Sequence, residues 1–456
     1  MLFFGRKKPV NRTTPPQRKR HQKPVTDLRS VKRHQRREEQ RIRELEKGLR
    51  ERRLGLYLHI PFCVRKCAYC DFYSLPGRED RMDAYLKSLC ANMTELVSSV
   101  QAHTVDTVYL GGGTPSLFGE RRLKVLLNTV KKTFRLDKDC ELTVECNPES
   151  VTPKLIRTLR RCGVNRISLG MQSAQDDELR AVGRVHDFEQ VRTAVACIRK
   201  EGIRNLSLDL IYGLPEQSRA DWQESVEAAL ALEPEHLSLY ALTLEEGTPL
   251  WKRRDALDLA DDDEQAERYL WAVDRLSQAG YAQYEISNFA KPGYESRHNL
   301  KYWMGEEYIA FGPGAHSDFG GVRYSYVADL EAYIAGVSSG SPIVEESERI
   351  PQPERFREYL IFRLRTVRGI GEEEYGRLTR MDFAPLRRRL EDFAASGWAM
   401  AEETEGERRW HFTPQGFLLS NRLIGELLEV QEEQLRGGVS GRGRPGLQDT
   451  RPVFDN

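Results

Sequence analysis

Long apolar runs are missing from this chain. No stretch approaches the ~18 consecutive apolar residues of a membrane-spanning helix, and Met1-Leu2-Phe3-Phe4 is too short for the core of a secretion signal. A soluble, cytoplasmic protein is therefore expected. Cysteine is sparse, at eight in 456 residues, and Cys90, Cys140, Cys146, Cys162 and Cys197 are scattered. That usage does not make a disulfide framework and fits a reducing compartment. Net charge is nearly absent as well, at +1, but the balance hides a polarity along the chain. Residues 1–53 carry 19 Lys and Arg against 6 Asp and Glu, which leaves 51 against 63 for the remainder. The pattern is a basic arm on a mildly acidic body. Residues 1–30 are rich in Pro, Arg and Gln and read as disordered. Residues 31–53 alternate charges, with Ile42, Leu45 and Leu49 as a narrow helical stripe. A solvated tail is the preferred reading of this arm, with RNA or an anionic membrane surface as the other targets its charge could serve.

Three cysteines are not scattered. Cys63-Val64-Arg65-Lys66-Cys67-Ala68-Tyr69-Cys70 follows the alternating run Gly55-Leu56-Tyr57-Leu58-His59-Ile60, closed by Pro61. Period-two alternation into a proline reads as a strand ending in a loop. A structural zinc site needs a fourth thiol or a paired histidine, and the stretch supplies neither. Three thiolates on one loop suit a [4Fe-4S] cluster with one iron left open, which an amine and a carboxylate can chelate. A trio of buried or redox thiols is the plainer alternative. The spacing Cys-x3-Cys-x2-Cys directly after a strand resembles the signature of the radical S-adenosylmethionine (SAM) superfamily. The resemblance implies that the open iron binds SAM and that one electron cleaves it to a 5′-deoxyadenosyl radical.

From Leu54 onward strands alternate with helices, the pattern of a parallel sheet with crossover helices. Strands are expected at Leu56–Ile60, Val105–Leu110, Glu141–Glu145, Arg166–Gly170, Leu206–Ile211 and Leu237–Leu242, with helices at Arg81–Val100, Glu120–Phe134, Pro153–Cys162, Phe188–Glu201 and Arg219–Leu232. Six such units predict an α/β fold, a partial (β/α)6 barrel whose chemistry sits at the carboxyl ends of the strands. Gly111-Gly112-Gly113-Thr114-Pro115 follows the second strand, where missing Cβ atoms let backbone approach a ligand. Glu145 ends the third strand before an Asn-Pro turn and could bond ribose hydroxyls. Gln172 ends the fourth, Arg184 offers a guanidinium fork for a carboxylate, and Asp209 lies inside an apolar strand where it needs a partner. Each alone could be a structural hydrogen-bonding group; on consecutive strands they form a polar ring.

From Leu56 through Gly111–Leu117, Glu145–Glu149, Arg166–Ser173, Val182–His186 and Leu208–Gln217, the chain resembles the coproporphyrinogen III oxidase-like branch of radical SAM proteins. The resemblance covers about residues 54 to 425. It implies cluster ligands Cys63, Cys67 and Cys70, and SAM contacts at Tyr57, Phe72 (by its backbone), Gly112, Gly113, Thr114, Glu145, Gln172, Arg184 and Asp209. Two features divide the branch. The oxygen-independent dehydrogenases carry another cysteine where this chain has Phe72, and His298-Asn299-Leu300-Lys301-Tyr302-Trp303 matches the HNxxYW motif of HemW-type heme chaperones. Those chaperones bind heme and deliver it to apoproteins such as respiratory enzymes, and they do not oxidise coproporphyrinogen. SAM cleavage, with an electron donor to drive it, is implied; coproporphyrinogen oxidase activity is not. His298 would offer an axial nitrogen to heme, and Tyr302 and Trp303 flat apolar surface. His316, in Phe311-Gly312-Pro313-Gly314-Ala315-His316-Ser317, is a second candidate ligand, and His59 is expected to support the cluster from behind. The alternatives are a coproporphyrinogen dehydrogenase and, ranked last, an RNA-directed radical SAM enzyme.

The barrel is expected over 54–342. Residues 343–435 then predict a small helical, winged-helix-like domain, and 436–456 a disordered tail. The acidic residues Glu402, Glu403, Glu405, Glu426 and Glu429 argue against a phosphate-binding face, so no specific nucleic-acid partner is expected. Peripheral membrane contact and homodimerisation stay open.

Overall fold

The computed structural model describes residues 52–404 and 406–438. Expectations for residues 1–51, and for the tail beyond residue 438, lie outside the described residues. Along the first strand, β1 (Arg53–Ile60), Leu54, Leu56, Leu58 and Ile60 are completely buried. Their period-two spacing turns one face onto the helical layer and leaves Tyr57 and His59 on the other. Five more strands follow: β2 (Thr104–Gly112), β3 (Leu136–Cys146), β4 (Arg166–Gln172), β5 (Asn205–Tyr212) and β6 (His236–Ala241). Each is parallel to its predecessor. Helices Met82–Glu95, Glu120–Thr133, Pro153–Arg161, Phe188–Lys200 and Arg219–Ala231 connect them in turn. This is the expected partial (β/α)6 barrel. One expected helix, Arg81–Val100, is interrupted at Leu96 and resumes as Val97–Val100.

The sheet does not close on itself; it extends at both edges. Strand β7 (Ala282–Gln283) pairs antiparallel with β8 (Asn288–Ala290), which itself adds antiparallel to β6. On the other side β9 (Tyr308–Phe311) runs parallel to β1, and β10 (His316–Phe319), β11 (Val322–Tyr326) and β12 (Val344–Arg349) follow antiparallel. Strand β12 shows that the sheet continues past Pro342, and the helical region starts only at Gln352. All six residues of β12 are exposed, so no apolar alternation marks it in the sequence. Beyond it come Gln352–Arg363, β13 (Ile370–Gly371), Glu372–Thr379, Ala384–Ala395, the hairpin β14 (Ala399–Thr404) and β15 (Glu407–Phe412), and the helices Pro414–Leu418 and Ser420–Gly438. Helix, strand, two helices and a hairpin is the winged-helix order. The last helix runs through Gly438, past the expected start of the tail.

Helix Arg297–Met304 carries the HNxxYW motif and is tied to the barrel by its amino terminus. The first N–H groups of a helix lack partners within it. Here Glu141 on β3 accepts from Arg297 N and His298 N, each at 3.1 Å, and Ser296 Oγ accepts from Asn299 N. A carboxylate at this end also meets the positive pole of the helix. Replacing Glu141 by Ala is expected to lower unfolding free energy by ~1–2 kcal/mol, read from urea denaturation, and Glu141→Gln, which keeps one acceptor oxygen, by less. A Glu141→Ala protein as stable as the parent would refute the capping account.

Candidate functional site

The carboxyl ends of the barrel strands open onto a cavity of about 380 Å³. The cysteine loop forms one wall. Backbone bonds hold it from two sides: Ala68 N donates to Val182 O at 2.9 Å and Leu250 N to Ala68 O at 3.0 Å. Cys63, Cys67 and Cys70 all line the cavity, unpaired and half-buried. Burial pushes the Cys63 and Cys70 thiols up. Among the described residues no three His, Cys, Asp or Glu side chains converge on one point. A cubane does not ask for that, because it takes each thiolate at a different iron. Two donors already face the sulfurs: Thr114 Oγ1 lies 3.6 Å from Cys63 Sγ, and Arg184 Nη1 lies 3.6 Å from Cys67 Sγ. An anionic sulfur cluster fits such a lining.

The glycine turn after β2 is pressed against this loop. Gly113 N donates to Ile60 O at 2.9 Å and Thr114 N to Phe62 O at 2.8 Å. A Cβ on Gly113 would sit 2.7 Å from Phe62 O, and one on Gly112, at φ +111°, 2.5 Å from the His59 ring. Glycine is required at 113 by the approach of two backbones and at 112 by the His59 ring and the positive φ, whatever ligand the turn also meets. Gly112 N then donates to Glu145 Oε2 at 3.2 Å, and Tyr109 Oη to Glu145 Oε1 at 2.7 Å. Burial nevertheless lifts the Glu145 carboxyl to about 7, against the pull of the Tyr109 hydroxyl. Asp209 is also raised by burial, and the hydroxyls of Ser168 and Ser207 offset part of the shift. Gln172 ends β4 with φ +66°, a left-handed turn costly for a residue with a side chain. Phe72, 61% exposed, stands at the rim.

Cys63, Cys67, Cys70, Phe72, Gly112, Gly113, Thr114, Glu145, Gln172, Arg184 and Asp209 thus gather around one space. Two expected site residues do not. Tyr57 is absent from the cavity wall; its hydroxyl meets His59 Nδ1 at 3.2 Å and its ring packs with Tyr109 and His298. His298 is the other. Its Nδ1 pairs with Thr107 Oγ1 at 2.8 Å, its Nε2 with Tyr302 Oη at 2.9 Å, and it is 1% exposed. Burial pulls its imidazolium down to about 3, so the ring is neutral, and neither nitrogen is free for a metal. His59 pairs through Nε2 with Tyr73 O at 2.8 Å behind the loop, and His316 lies exposed on β10.

Sequence reasoning missed Arg166, Ser168, Ser238, Tyr240 and Asn299, all on the cavity wall. Arg166 is buried, with Nε and Nη1 lacking hydrogen-bond partners. As the first residue of an apolar strand it reads as a solvated flank, and only the curvature of the partial barrel puts it inside. Tyr240 and Asn299 also border a second cavity of about 370 Å³, lined by Tyr302, Trp303, Tyr308 and Phe362. The aromatic half of the HNxxYW motif therefore faces open space, while its histidine does not.

Comparison with known proteins agrees with this architecture. Residues 57–229 match the model of the radical SAM superfamily. The heme chaperone HemW of Bacillus subtilis (strain 168) is 34% identical over 379 residues, covering 82% of this chain and 98% of that protein. The heme chaperone HemW of Mycobacterium tuberculosis (strain H37Rv) is 38% identical over 379 residues, covering 82% and 94%. In three dimensions the chain resembles coproporphyrinogen III oxidase (HemN) from Escherichia coli, a radical SAM enzyme, with a TM-score of 0.72 over 84% of this chain and 92% of that one. Their identity is 22%, so that likeness speaks for the fold.

Glu145 generates a test of the site's electrostatics. Its carboxyl titrates at about 7 in the fold against 4.5 ordinarily, so the folded state retains a proton that the unfolded chain has released. That contribution to stability is full below the ordinary value and disappears as pH rises through the folded value. Between about pH 5 and about pH 8, Glu145→Gln is expected to flatten the decline in melting temperature. An unchanged slope, measured by circular dichroism, would contradict the assignment.

Proposed function

The chain belongs to the HemW family of radical SAM proteins, and from that membership we propose that it is a cytoplasmic heme-binding chaperone, handing heme to apoproteins such as respiratory enzymes. The observation that carries the reading is the barrel mouth, where three thiols from one loop and polar groups from successive strand tips surround a single cavity. Among the described residues no helix is long and apolar enough to cross a membrane.

Cys63, Cys67 and Cys70 hold a [4Fe-4S] cluster. The cluster and SAM, when bound, supply one-electron cleavage of the sulfonium. Everything else is positioning and exclusion of water by this chain's own groups. Gly112, Gly113 and Thr114 flank the amino group of SAM, and the Phe72 backbone meets the nucleotide. Arg184 supplies positive charge to the SAM carboxylate. Glu145 accepts from the ribose, with Gln172 and Asp209 closing the ring of polar contacts. Phe72 stands where a dehydrogenase of this branch has a further cysteine, which favours transfer of heme over oxidation of its precursor.

The second cavity is the heme-side surface. Tyr302, Trp303, Tyr308 and Phe362 offer it flat apolar area, so the HNxxYW motif contributes through its aromatic residues. His298 positions Tyr302 and holds the helix to the barrel through Thr107.

Anaerobic reconstitution is expected to give about four iron and about four sulfide per chain, lost in Cys63→Ala. Hemin then binds one per chain, and coproporphyrinogen is not converted. Trp303→Ala is expected to weaken hemin about tenfold. His298→Ala lowers the melting temperature without moving the hemin absorption band. Turnover of coproporphyrinogen, or no saturable hemin binding, would sink the chaperone reading.

A further inference from the structure

The two donors that face the cysteine sulfurs are joined through Asn147. Its Nδ2 donates to Thr114 Oγ1 at 3.0 Å, and its Oδ1 accepts from Arg184 Nη2 at 2.8 Å. With Thr114 on Cys63 Sγ and Arg184 on Cys67 Sγ, both at 3.6 Å, the bonds run unbroken from one thiol to the other. They come from the cysteine loop, the turn after β2, the end of β3 and the loop after β4, segments brought together only by the barrel.

The polarity of this bracket is forced. A guanidinium has donors and no acceptor, so the amide must turn its oxygen toward Arg184. Nδ2 then faces Thr114, whose hydroxyl must accept there. The single hydroxyl proton is left for Cys63 Sγ. Reversing the amide would set donor against donor at Arg184 and release Thr114 from its orientation. The backbone around Asn147 is pinned as well: its N donates to Ser116 Oγ at 3.3 Å, its O accepts from Ser150 Oγ at 2.7 Å, and Pro148 follows. Arg184 Nη2 has a second anchor on Gly170 O at 2.9 Å.

Hydrogen bonds to the sulfurs of an iron–sulfur cluster favour its reduced, more negative state and raise its potential. We infer that Asn147 is a positioning residue that sets the reduction potential of the cluster, by holding Thr114 and Arg184 as donors to the Cys63 and Cys67 sulfurs. The inference rests on the reading of Cys63, Cys67 and Cys70 as cluster ligands. It assigns Thr114 and Arg184 a second duty, since the same two side chains also border the SAM site. A residue that merely shaped the Asn-Pro turn would leave the potential alone.

The test is an anaerobic, dye-mediated redox titration of the full reconstituted chain, followed by electron paramagnetic resonance of the reduced cluster. Iron and sulfide content are measured in parallel. Asn147→Ala is expected to move the midpoint to a more negative value with the cluster complete. Thr114→Val should shift it the same way by a smaller amount, and should add less in the Asn147→Ala background than alone, because Asn147 acts through it. A complete cluster in Asn147→Ala that titrates at the parent midpoint overturns the inference, and so do strictly additive shifts. If Asn147→Ala assembles no cluster, Thr114→Val decides: an unmoved midpoint overturns the inference and a more negative one supports it. A parent protein that binds no iron overturns the cluster reading itself, which is a different failure.

Discussion

Two backbone hydrogen bonds hold the site together: Gly113 N to Ile60 O, and Thr114 N to Phe62 O. They carry the parallel pairing of β1 and β2 past the ends of the strands and fasten the cysteine segment to the glycine turn. At Gly113 such close approach is open only to a residue without a Cβ, which would otherwise sit 2.7 Å from Phe62 O. Once the two segments are locked, Thr114 stands over Cys63 Sγ and Gly112 N reaches Glu145. The thiols, the glycine turn and the carboxylate of β3 are then joined in one unit.

Strand β3 extends that body downward. Glu141, Thr143 and Glu145 alternate onto one face of the strand, toward the barrel interior. Glu145 serves the mouth, bonded to Tyr109 and Gly112. Glu141, four residues earlier, caps the helix that carries Tyr302 and Trp303. Two carboxylates of one strand therefore tie the cysteine side of the barrel mouth to the helix beside the aromatic cavity. Tyr240 and Asn299 belong to both walls, so the spaces adjoin. Burying this many charged groups is costly unless each is bonded or balanced. The hydroxyls of Ser168 and Ser207 answer Asp209, and the guanidinium of Arg166 sits among Glu141 and Asp209.

Much of the fold was legible in advance. Strands β1 to β6 and their helices showed themselves by apolar spacing that needs no partner to be seen, and their ends differ from expectation by a few residues. Strand β12 escaped because Val344–Arg349 buries nothing, so its pairing with β11 leaves no trace in composition. The thiol loop and the strand-tip groups were legible because spacing and position along the barrel already imply a shared mouth. The surroundings of His298 were hidden for a complementary reason. Its residue type permits metal ligation, but Thr107, 191 residues away, occupies one nitrogen and Tyr302 the other. Arg166 was overlooked since a charge at a strand's start ordinarily points to water.

The amino-acid sequence alone determined the barrel and the three-thiol loop, because periodicity and spacing are local and act on neighbouring residues. Tertiary structure alone decided what each polar group does: which histidine is already bonded, which aromatic residues face a cavity, and that Asn147 links Thr114 to Arg184. A hydrogen-bond partner is chosen by proximity in space, and here the partners come from strands tens to hundreds of residues apart.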